Sequence, residues 1–452
     1  PWAVRAAVGE AQEMMRAAGG YLAERASDLD DLANRALAEL LGVPMPGLPD
    51  PDAAEPYVLI AGDLAPADTA TLPVQRVLAI VTERGGPTGH SAIIARAAGI
   101  PAIVSCPDAA RVADGERLIV DAERAEVIRH PTAEQVRATE RSRDQRAARL
   151  AASSGPGRTS DGHPVQLLAN LGSVDRVGDV VAGAEGIGLF RTEFLFLDRA
   201  AAPGVDEQRE VYRRLLEALP GRDVVIRTLD AGSDKPLAFV PLGDEPNPAL
   251  GVRGYRTAQV HRALLDDQLA AIAAAADGTD AHVRVMAPMI STPDEAAAFA
   301  ESARGHGLPS VGVMIEVPAA AMRVDEIATV VDFVSIGTND LAQYTFAADR
   351  TLGEVASLLD PWQPALLRLI EQVAAAGRRH GKPVSVCGEA AADPLLAPVL
   401  AGFGLTSLSM APSAVPAVRA ALGEVSYAQC RERAERALAA GTPAQARAAS
   451  RS

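Results

Sequence analysis

The sequence is poor in aromatic residues and in cysteine. Phe, Trp and Tyr together make up 4% of the 452 residues, so Ala, Val, Leu and Ile must fill the core. The three cysteines, Cys106, Cys387 and Cys430, are widely spaced and do not form the close pairs of a zinc or disulfide motif. This usage is typical of reduced thiols and predicts a cytoplasmic protein.

Long apolar runs and excess positive charge are also lacking. No run reaches the roughly 18 apolar residues of a membrane helix, and we expect no membrane insertion. The formal net charge is -15, whereas nucleic-acid binding needs clustered Lys and Arg, so we expect no nucleic-acid partner. The chain starts at Pro1 directly in an amphipathic pattern, which predicts that its N-terminus is missing.

The first 160 residues indicate a small domain between helical segments. Residues 2–42 carry apolar residues at helical spacing and predict one or two helices. The proline-rich stretch GVPMPGLPDPDAAEP then indicates a boundary. Short β-rich runs around one helical segment predict a small α/β domain at about residues 45–130. After it, a capping box of Thr132 and Gln135 opens a helix that is charged on nearly all faces, as is typical of a helix between domains.

Beyond residue 160, apolar strand-like runs alternate with stretches long enough for a helix. Eight such runs occur: VQLLANLG, EGIGLFRTEF, VVIRTLDAG, HVRVMAPMI, SVGVMIEVPAA, FVSIGTNDL, PVSVCGEAA and LTSLSMAP. Apolar strands between helices predict a parallel sheet covered on its faces, and eight units in about 290 residues predict a (β/α)8 TIM barrel. An open doubly wound sheet is the alternative, because strand counts from one sequence are imprecise.

Charged side chains gather where these runs end. The run ends carry Arg191, Arg227 with Asp230, Glu316, Asn339 with Asp340, and Cys387 with Glu389, and the loops add Arg253, Arg256 and Arg350. Barrel enzymes build their sites at the C-terminal ends of the strands. Several guanidinium groups at one mouth fit a small polyanion, although a single arginine there is more often an ordinary ion-pair group.

Glu316 and Asp340 are candidate metal ligands. They would follow adjacent strands, about 5 Å apart in the sheet direction. Two carboxylates at that separation suit Mg²⁺, which takes one or two carboxylates together with water and substrate oxygens. The alternative is that both carboxylates pair with nearby arginines. Cys387 is either an inert buried thiol or a group that exchanges a proton.

His90 begins a predicted helix in the stretch GGPTGHSAIIARAAGIPAIV. The dipole at a helix N-terminus disfavours the imidazolium, which leaves a neutral ring that can act as a nucleophile. The free N–H groups there would favour a phosphoryl group once it is attached. Taken alone, such a histidine is more often structural.

Taken together, these stretches resemble enzyme I of the bacterial phosphoenolpyruvate:sugar phosphotransferase system. The stretch around His90 resembles the phosphohistidine signature of that family, and its barrel motifs are matched in order by GIGLFRTEFLFLDR, VIRTLDAGSDK, NPALGVRGYR, GVMIEVPAA, DFVSIGTNDLAQYTFAADR and VCGEAA. The resemblance implies a partial helical carrier-binding subdomain at residues 1–44 and a swivelling phosphohistidine domain at 45–130. It also implies a linker helix and hinge at 131–157 and a phosphoenolpyruvate-binding barrel at 158–447.

The resemblance also implies a role for each site residue. His90 would take the phosphoryl group of phosphoenolpyruvate on Nε2, and Cys387 would give a proton to the enolate carbon. Glu316 and Asp340 match the Mg²⁺ ligands. The matching substrate-binding residues are Arg191, Arg227, Arg253, Asn339 and Arg350. The family passes the phosphoryl group to the histidine carrier protein HPr, releases pyruvate as the first step of sugar uptake, and forms a homodimer through the barrel.

The sequence departs from the family pattern in three places. Gly89 stands where the family commonly has Ser, and Ser233 stands where a second Gly is usual. Most of the carrier-binding subdomain has no counterpart, so part of the surface for HPr is expected to be missing.

Two alternative functions remain. A pyruvate dikinase or phosphoenolpyruvate synthase would phosphorylate the same histidine from ATP, but it needs a large nucleotide-binding domain, which about 40 residues before the proline-rich boundary cannot supply. A phosphoenolpyruvate-sensing paralogue without phosphotransfer is disfavoured by His90, the two carboxylates and Cys387.

Overall fold

The chain divides into two compact units. They are Pro1–Arg141 with Thr351–Gly353, and Ser142–Arg350 with Glu354–Ser452. This computed structural model describes residues 2–18, 28–42, 55–62, 64, 72–73, 76–84, 95, 100–122, 124–197, 199–232, 235–240, 242–243, 245–350 and 352–451. Within those residues, no helix has the length and apolar character needed to cross a lipid bilayer.

In its described residues, the first unit contains two N-terminal helices and two small sheets. Helices Trp2–Ala18 and Asp28–Leu41 contact each other. The sheets consist of parallel strands β1 (Tyr57–Ala61), β2 (Val77–Thr82) and β3 (Ala102–Ile103), and of the antiparallel pair β4 (Leu118–Asp121) and β5 (Glu126–Arg129). Apolar clusters cover the parallel sheet. The α/β character predicted for this part is confirmed. A 20-residue helix, Ala133–Ala152, runs on into the second unit.

The second unit is a closed barrel of eight parallel strands. Strand β13 pairs with β6, with Ser407 opposite Gln166, and this pairing closes the ring. The strands are β6 (Gln166–Leu171), β7 (Ile187–Arg191), β8 (Asp223–Arg227), β9 (His282–Ala287), β10 (Val311–Ile315), β11 (Phe333–Gly337), β12 (Val384–Cys387) and β13 (Ser407–Met410). The predicted (β/α)8 barrel is confirmed, and the open-sheet alternative is wrong.

Helices follow the barrel strands and cover their outer faces. They are Val177–Gly183, Val205–Glu217, Tyr255–Val260, Arg262–Ala276, Pro293–Gly305, Pro318–Met322, Val324–Ile327, Thr338–Phe346, Pro364–His380, Glu389–Ala392, Ala397–Gly402, Val415–Gly423, Tyr427–Ala439 and Pro443–Ala449. Some of these helices begin or end at residues that typically cap helices. Thr292 and Glu295 form a capping box at one N-terminus, and Gly381, with φ 64°, ends Pro364–His380 in the left-handed conformation.

Apolar side chains fill the barrel interior, so the barrel has a packed core and no pore. Leu189, Val225, Met286, Met314, Phe333 and Cys387 form this inner cluster. Gly312 leaves room for it, because a Cβ atom at that position would lie 2.5 Å from the Phe333 ring. All five residues of β10 and of β11 are buried, as expected for strands with helices on one face and the packed interior on the other.

Candidate active site

The carboxyl ends of the barrel strands bring most of the predicted site residues to one rim. Arg191 ends β7, Arg227 ends β8 and Cys387 ends β12. Glu316 directly follows β10, and Asp340 lies in the first turn of the helix that follows β11. Because the strands are parallel and close into a ring, these positions share one face of the barrel.

Arg227 is buried, with 6% of its surface exposed. Its Nη2 atom donates a hydrogen bond to Oε1 of Glu193 and lies 3.0 Å from Oδ2 of Asp230. Burial alone would lower the pKa of the guanidinium, but Glu193 and Asp230 outweigh it and raise the pKa further. Arg227 is therefore a fixed positive charge held by two carboxylates.

Arg253 is the most deeply buried arginine of the site, with 1% of its surface exposed. Its Nη2 lies 3.3 Å from Oδ1 of Asp230, and its Nη1 donates to Oδ1 of Asp340 at 3.1 Å and to the Tyr344 hydroxyl at 3.2 Å. Burial raises the pKa of Asp230, but Arg227 and Arg253 overcome this effect and hold it below its ordinary range. Asp230 therefore links two arginines and stays ionised.

Arg350 binds the same carboxylate as Arg253. Its Nη1 donates to Oδ2 of Asp340 at 3.1 Å, so each oxygen of Asp340 accepts a hydrogen bond from one arginine. The alternative suggested by the sequence, carboxylates paired with nearby arginines, is therefore what the structure shows for Asp340. Arg191 differs from these residues: its side chain is exposed and has no ion-pair partner among the described residues.

Glu316 is buried, with 1% exposed, and has no ion-pair partner within the described part of the chain. Its Oε1 accepts a hydrogen bond of 2.6 Å from the backbone N–H of Met289, a residue with φ 57°. Its Oε2 lies beside Gly337, where a Cβ atom would approach it to 2.7 Å. Burial, with added repulsion from Asp340 and Asp230, raises the pKa of Glu316 to about 8.

This donor set fits a divalent cation. Two carboxylates that follow neighbouring strands are hard oxygen ligands, and one of them lacks a compensating charge. Among the described residues there is no group of three or more His, Cys, Asp or Glu side chains that could hold a metal ion.

Cys387 is buried beside these charges, with 3% exposed. Its thiol donates to the backbone oxygen of Ile336 at 3.4 Å. Burial raises the pKa of the thiol, although Ser335 and Arg227 act in the opposite direction. The thiol thus stays protonated at neutral pH and has a proton to give.

Asn339, which follows β11, contacts the backbone that follows Cys387. Its Oδ1 accepts a hydrogen bond of 3.5 Å from the backbone N–H of Glu389. Gly388, with φ 110°, makes this approach possible, because a Cβ atom there would lie 2.9 Å from Oγ1 of Thr338. The loops after β11 and β12 are thereby joined at the rim.

Sequence reasoning missed three residues of this network. Glu193 pairs with Arg227, Lys235 Nζ lies 3.8 Å from Oδ2 of Asp230, and Tyr344 binds Arg253. Glu193 could have been found, since it is a charged residue inside the apolar run that carries Arg191. His90, Gly89 and Ser233 lie outside the described residues, so the structure does not place the predicted nucleophile.

Two protein-family models match separate segments of the chain. The family model described as "PEP-utilising enzyme, mobile domain" matches residues 53–125. The model described as "PEP-utilising enzyme, PEP-binding domain" matches residues 146–427. The second match covers the barrel and more than half of the chain.

Several relatives match nearly the whole chain. A Streptomyces coelicolor protein is 54% identical over 439 residues, which cover 96% of this chain and 79% of that protein. A Haloferax volcanii protein is 42% identical over 463 residues, with 98% and 80% covered. A Bacillus protein is 41% identical over 442 residues, with 93% and 75% covered. All three are named phosphoenolpyruvate-protein phosphotransferase.

Proposed function

The chain belongs to the phosphoenolpyruvate-protein phosphotransferase family, and from that premise we propose the reaction of enzyme I for it. In this reaction the phosphoryl group of phosphoenolpyruvate passes to His90 and then to HPr, and pyruvate is released in the first step of sugar uptake. The observation that carries the proposal is the set of arginines at the rim of the barrel. Arg227, Arg253 and Arg350 converge there, and each is bonded to a carboxylate.

We propose that these arginines exchange carboxylates for the substrate. Phosphoenolpyruvate carries a phosphate and a carboxylate, whose oxygens match the planar fork of a guanidinium. The Asp230 and Asp340 side chains occupy the same donors and keep them charged and oriented. Arg191 is exposed at the end of β7 and free to close on the ligand, and Asn339 adds an amide contact. Catalysis then consists mainly of positioning and charge stabilisation.

Glu316 and Asp340 are the proposed Mg²⁺ ligands. When bound, the cation would offset the charge on the phosphoryl oxygens. Glu316 has no cationic partner to displace among the described residues, but with a pKa of about 8 it would lose a proton as the cation binds. Asp340 must first leave Arg253 or Arg350.

Cys387 is the proposed proton donor to the enolate left after phosphoryl transfer. The S–H bond breaks, a C–H bond forms at the enolate carbon, and the electron pair of the S–H bond remains on sulfur. Burial keeps the thiol pKa above its ordinary value, so the proton is present when the enolate forms. Protonation at carbon gives pyruvate and draws the transfer forward.

We also propose a function for each segment of the chain. Residues 1–44 would be part of the HPr-binding subdomain, and residues 45–130 the phosphohistidine domain that moves between the barrel and HPr. Residues 131–157 would contain the linker and hinge, and residues 158–447 the substrate-binding barrel. We further propose a homodimer formed through the barrel and a cytoplasmic location, which the three free cysteines support.

Labelled phosphate tests this function. We expect incubation with Mg²⁺ and phosphate-labelled phosphoenolpyruvate to place an acid-labile label on the protein, and the label to be absent from His90→Ala. Addition of HPr should then remove the label from the wild-type chain. Label from γ-labelled ATP would instead support a dikinase, and binding of phosphoenolpyruvate without any label would support a sensor.

A further inference from the structure

Ser335 is a buried polar residue that the proposed reaction does not yet use. It lies in β11, with 1% of its surface exposed, in a strand that is otherwise apolar. Its hydroxyl has no hydrogen-bond partner among the described residues in this state of the protein. An unsatisfied hydroxyl in a packed core is unfavourable, so an apolar side chain would make the barrel more stable at this position.

The pairing of β11 with β12 places Ser335 on the same face of the strands as Cys387. Gly337 is opposite Cys387 in the register, and Ser335 is opposite Ser385. Ser335 and Cys387 are therefore diagonal neighbours on one face of the paired strands, and the Ser335 hydroxyl lowers the pKa of the thiol. In the protonated form, the thiol itself donates to the backbone oxygen of Ile336 at 3.4 Å.

We propose that Ser335 is a positioning residue for proton donation, and that its hydroxyl donates a hydrogen bond to the thiolate that Cys387 becomes when it protonates the enolate. The inference rests on the proposed function for the identity of the proton acceptor. Ser335 neither gains nor loses a proton, and the thiolate recovers its proton from solvent after pyruvate leaves. An interaction that forms only as charge develops on sulfur lowers the barrier without stabilising the resting state.

The charges around the sulfur explain why a neutral donor is suited to this position. Glu316 opposes the thiolate, whereas Arg227 and Arg191 favour it. Both arginines are also proposed to bind the substrate, so the substrate's negative charge reduces their stabilisation of the thiolate. A serine hydroxyl stabilises the thiolate without changing the net charge of the site.

Alkylation of Cys387 tests the hydrogen bond directly. The full chain is treated with iodoacetamide between pH 7.5 and 10.5, and the modification of each cysteine peptide is followed by mass spectrometry. At the lower pH values we expect Ser335→Ala to slow alkylation of Cys387 about tenfold, because less thiolate is present. In fits to the two pH profiles, the limiting rate for the fully ionised thiol should agree, which controls for access. Cys106, in the other unit, provides the reference rate in each sample.

A matched pair of variants separates the hydroxyl from the shape of the side chain. Ser335→Thr keeps the hydroxyl and Ser335→Val has nearly the same shape without it, so only the valine variant should behave like alanine. Ser385→Ala is the neighbouring control, because its hydroxyl donates to the Val334 carbonyl oxygen at 3.5 Å. It should leave the alkylation profile of Cys387 unchanged.

The rate of pyruvate formation provides a second test of the role of Ser335. We expect Ser335→Val to lower kcat for pyruvate formation about tenfold relative to Ser335→Thr, with KM for phosphoenolpyruvate unchanged. Equal alkylation profiles for the threonine and valine variants would overturn the inference. If the wild-type chain forms no phosphohistidine, the proposed function fails, but the alkylation result still decides whether Ser335 binds the thiolate.

Discussion

Arg350 Nη1 lies 3.1 Å from Oδ2 of Asp340, so a residue proposed to bind the substrate is hydrogen-bonded to a residue proposed to bind the metal ion. The other oxygen of that carboxylate is bonded to Arg253. A cation that binds Asp340 must displace at least one of these arginines, and a phosphate that binds the arginines must release Asp340. The binding of the cation and the binding of the phosphate should therefore each favour the other.

We predict that Mg²⁺ and phosphoenolpyruvate bind with positive coupling. In His90→Ala, where turnover is blocked, Mg²⁺ should raise the affinity for phosphoenolpyruvate about tenfold, and the reverse effect must be equal. Isothermal titration calorimetry of each ligand, with and without the other, measures both. Arg350→Ala should reduce the coupling as well as the affinity. Independent binding in the His90→Ala chain would contradict the proposed exchange.

Arg227 and Arg191 should differ in their effect on stability. Arg227→Ala removes the hydrogen-bond partner of buried Glu193 and one of the two arginines that hold Asp230, and we expect it to destabilise the barrel by about 3–5 kcal/mol. Arg191→Ala removes an exposed side chain and should change stability by less than about 0.5 kcal/mol. Both should weaken phosphoenolpyruvate binding. Tryptophan fluorescence during thermal unfolding measures the stability of each variant. Trp362 is buried in the barrel and reports on its unfolding, whereas Trp2 is already exposed.

A methyl group at Gly337 should disturb the proposed metal site. The Cβ atom of Gly337→Ala would lie 2.7 Å from Oε2 of Glu316 and 3.0 Å from Sδ of Met314, so the carboxylate must move. We expect the affinity for Mn²⁺, measured by electron paramagnetic resonance, to fall at least about tenfold. Gly305→Ala is the control, because no atom lies within 4 Å of the added carbon. Equal Mn²⁺ binding by both variants would show that Glu316 is not a ligand.

Cys430 should make the barrel less stable at alkaline pH. Burial raises the pKa of this thiol to about 11 in the folded chain, compared with about 8.5 when it is unfolded. Its contribution is fully present below about pH 8.5 and is lost as the pH rises towards 11, because only the unfolded thiol ionises there. Between pH 8 and 10, the wild type should lose about 2 kcal/mol relative to Cys430→Ala. Urea unfolding at a series of pH values measures this difference, and parallel curves for the two chains would refute it.

The architecture could be predicted from the sequence because it depends on local patterns. Each of the eight predicted runs coincides with one barrel strand to within one residue at its start or contains it, and the register of β13 with β6 closes the ring. Parallel strands separated by helices direct all carboxyl ends to one side, so the location of Arg227, Glu316 and Cys387 at one rim followed as well. The domain boundaries and the roles of the site residues remain predictions, and His90 lies outside the described residues.

The pairing of charges could not be predicted, because it depends on contacts between distant loops. Glu316 and Asp340 had equivalent positions in the sequence pattern, yet Asp340 is bonded to two arginines and Glu316 to none. Arg253 reaches Asp340 across 87 positions of the chain.

The sequence by itself determined the barrel, the strand ends that carry charge and the family to which the chain is similar, since periodicity and short motifs are local properties. Only the tertiary structure decided that Glu193 binds Arg227 and that Ser335 and Cys387 lie on the same face of neighbouring strands. Hydrogen bonds and ion pairs require distances of about 3 Å, and such distances are set by how neighbouring strands and loops pack.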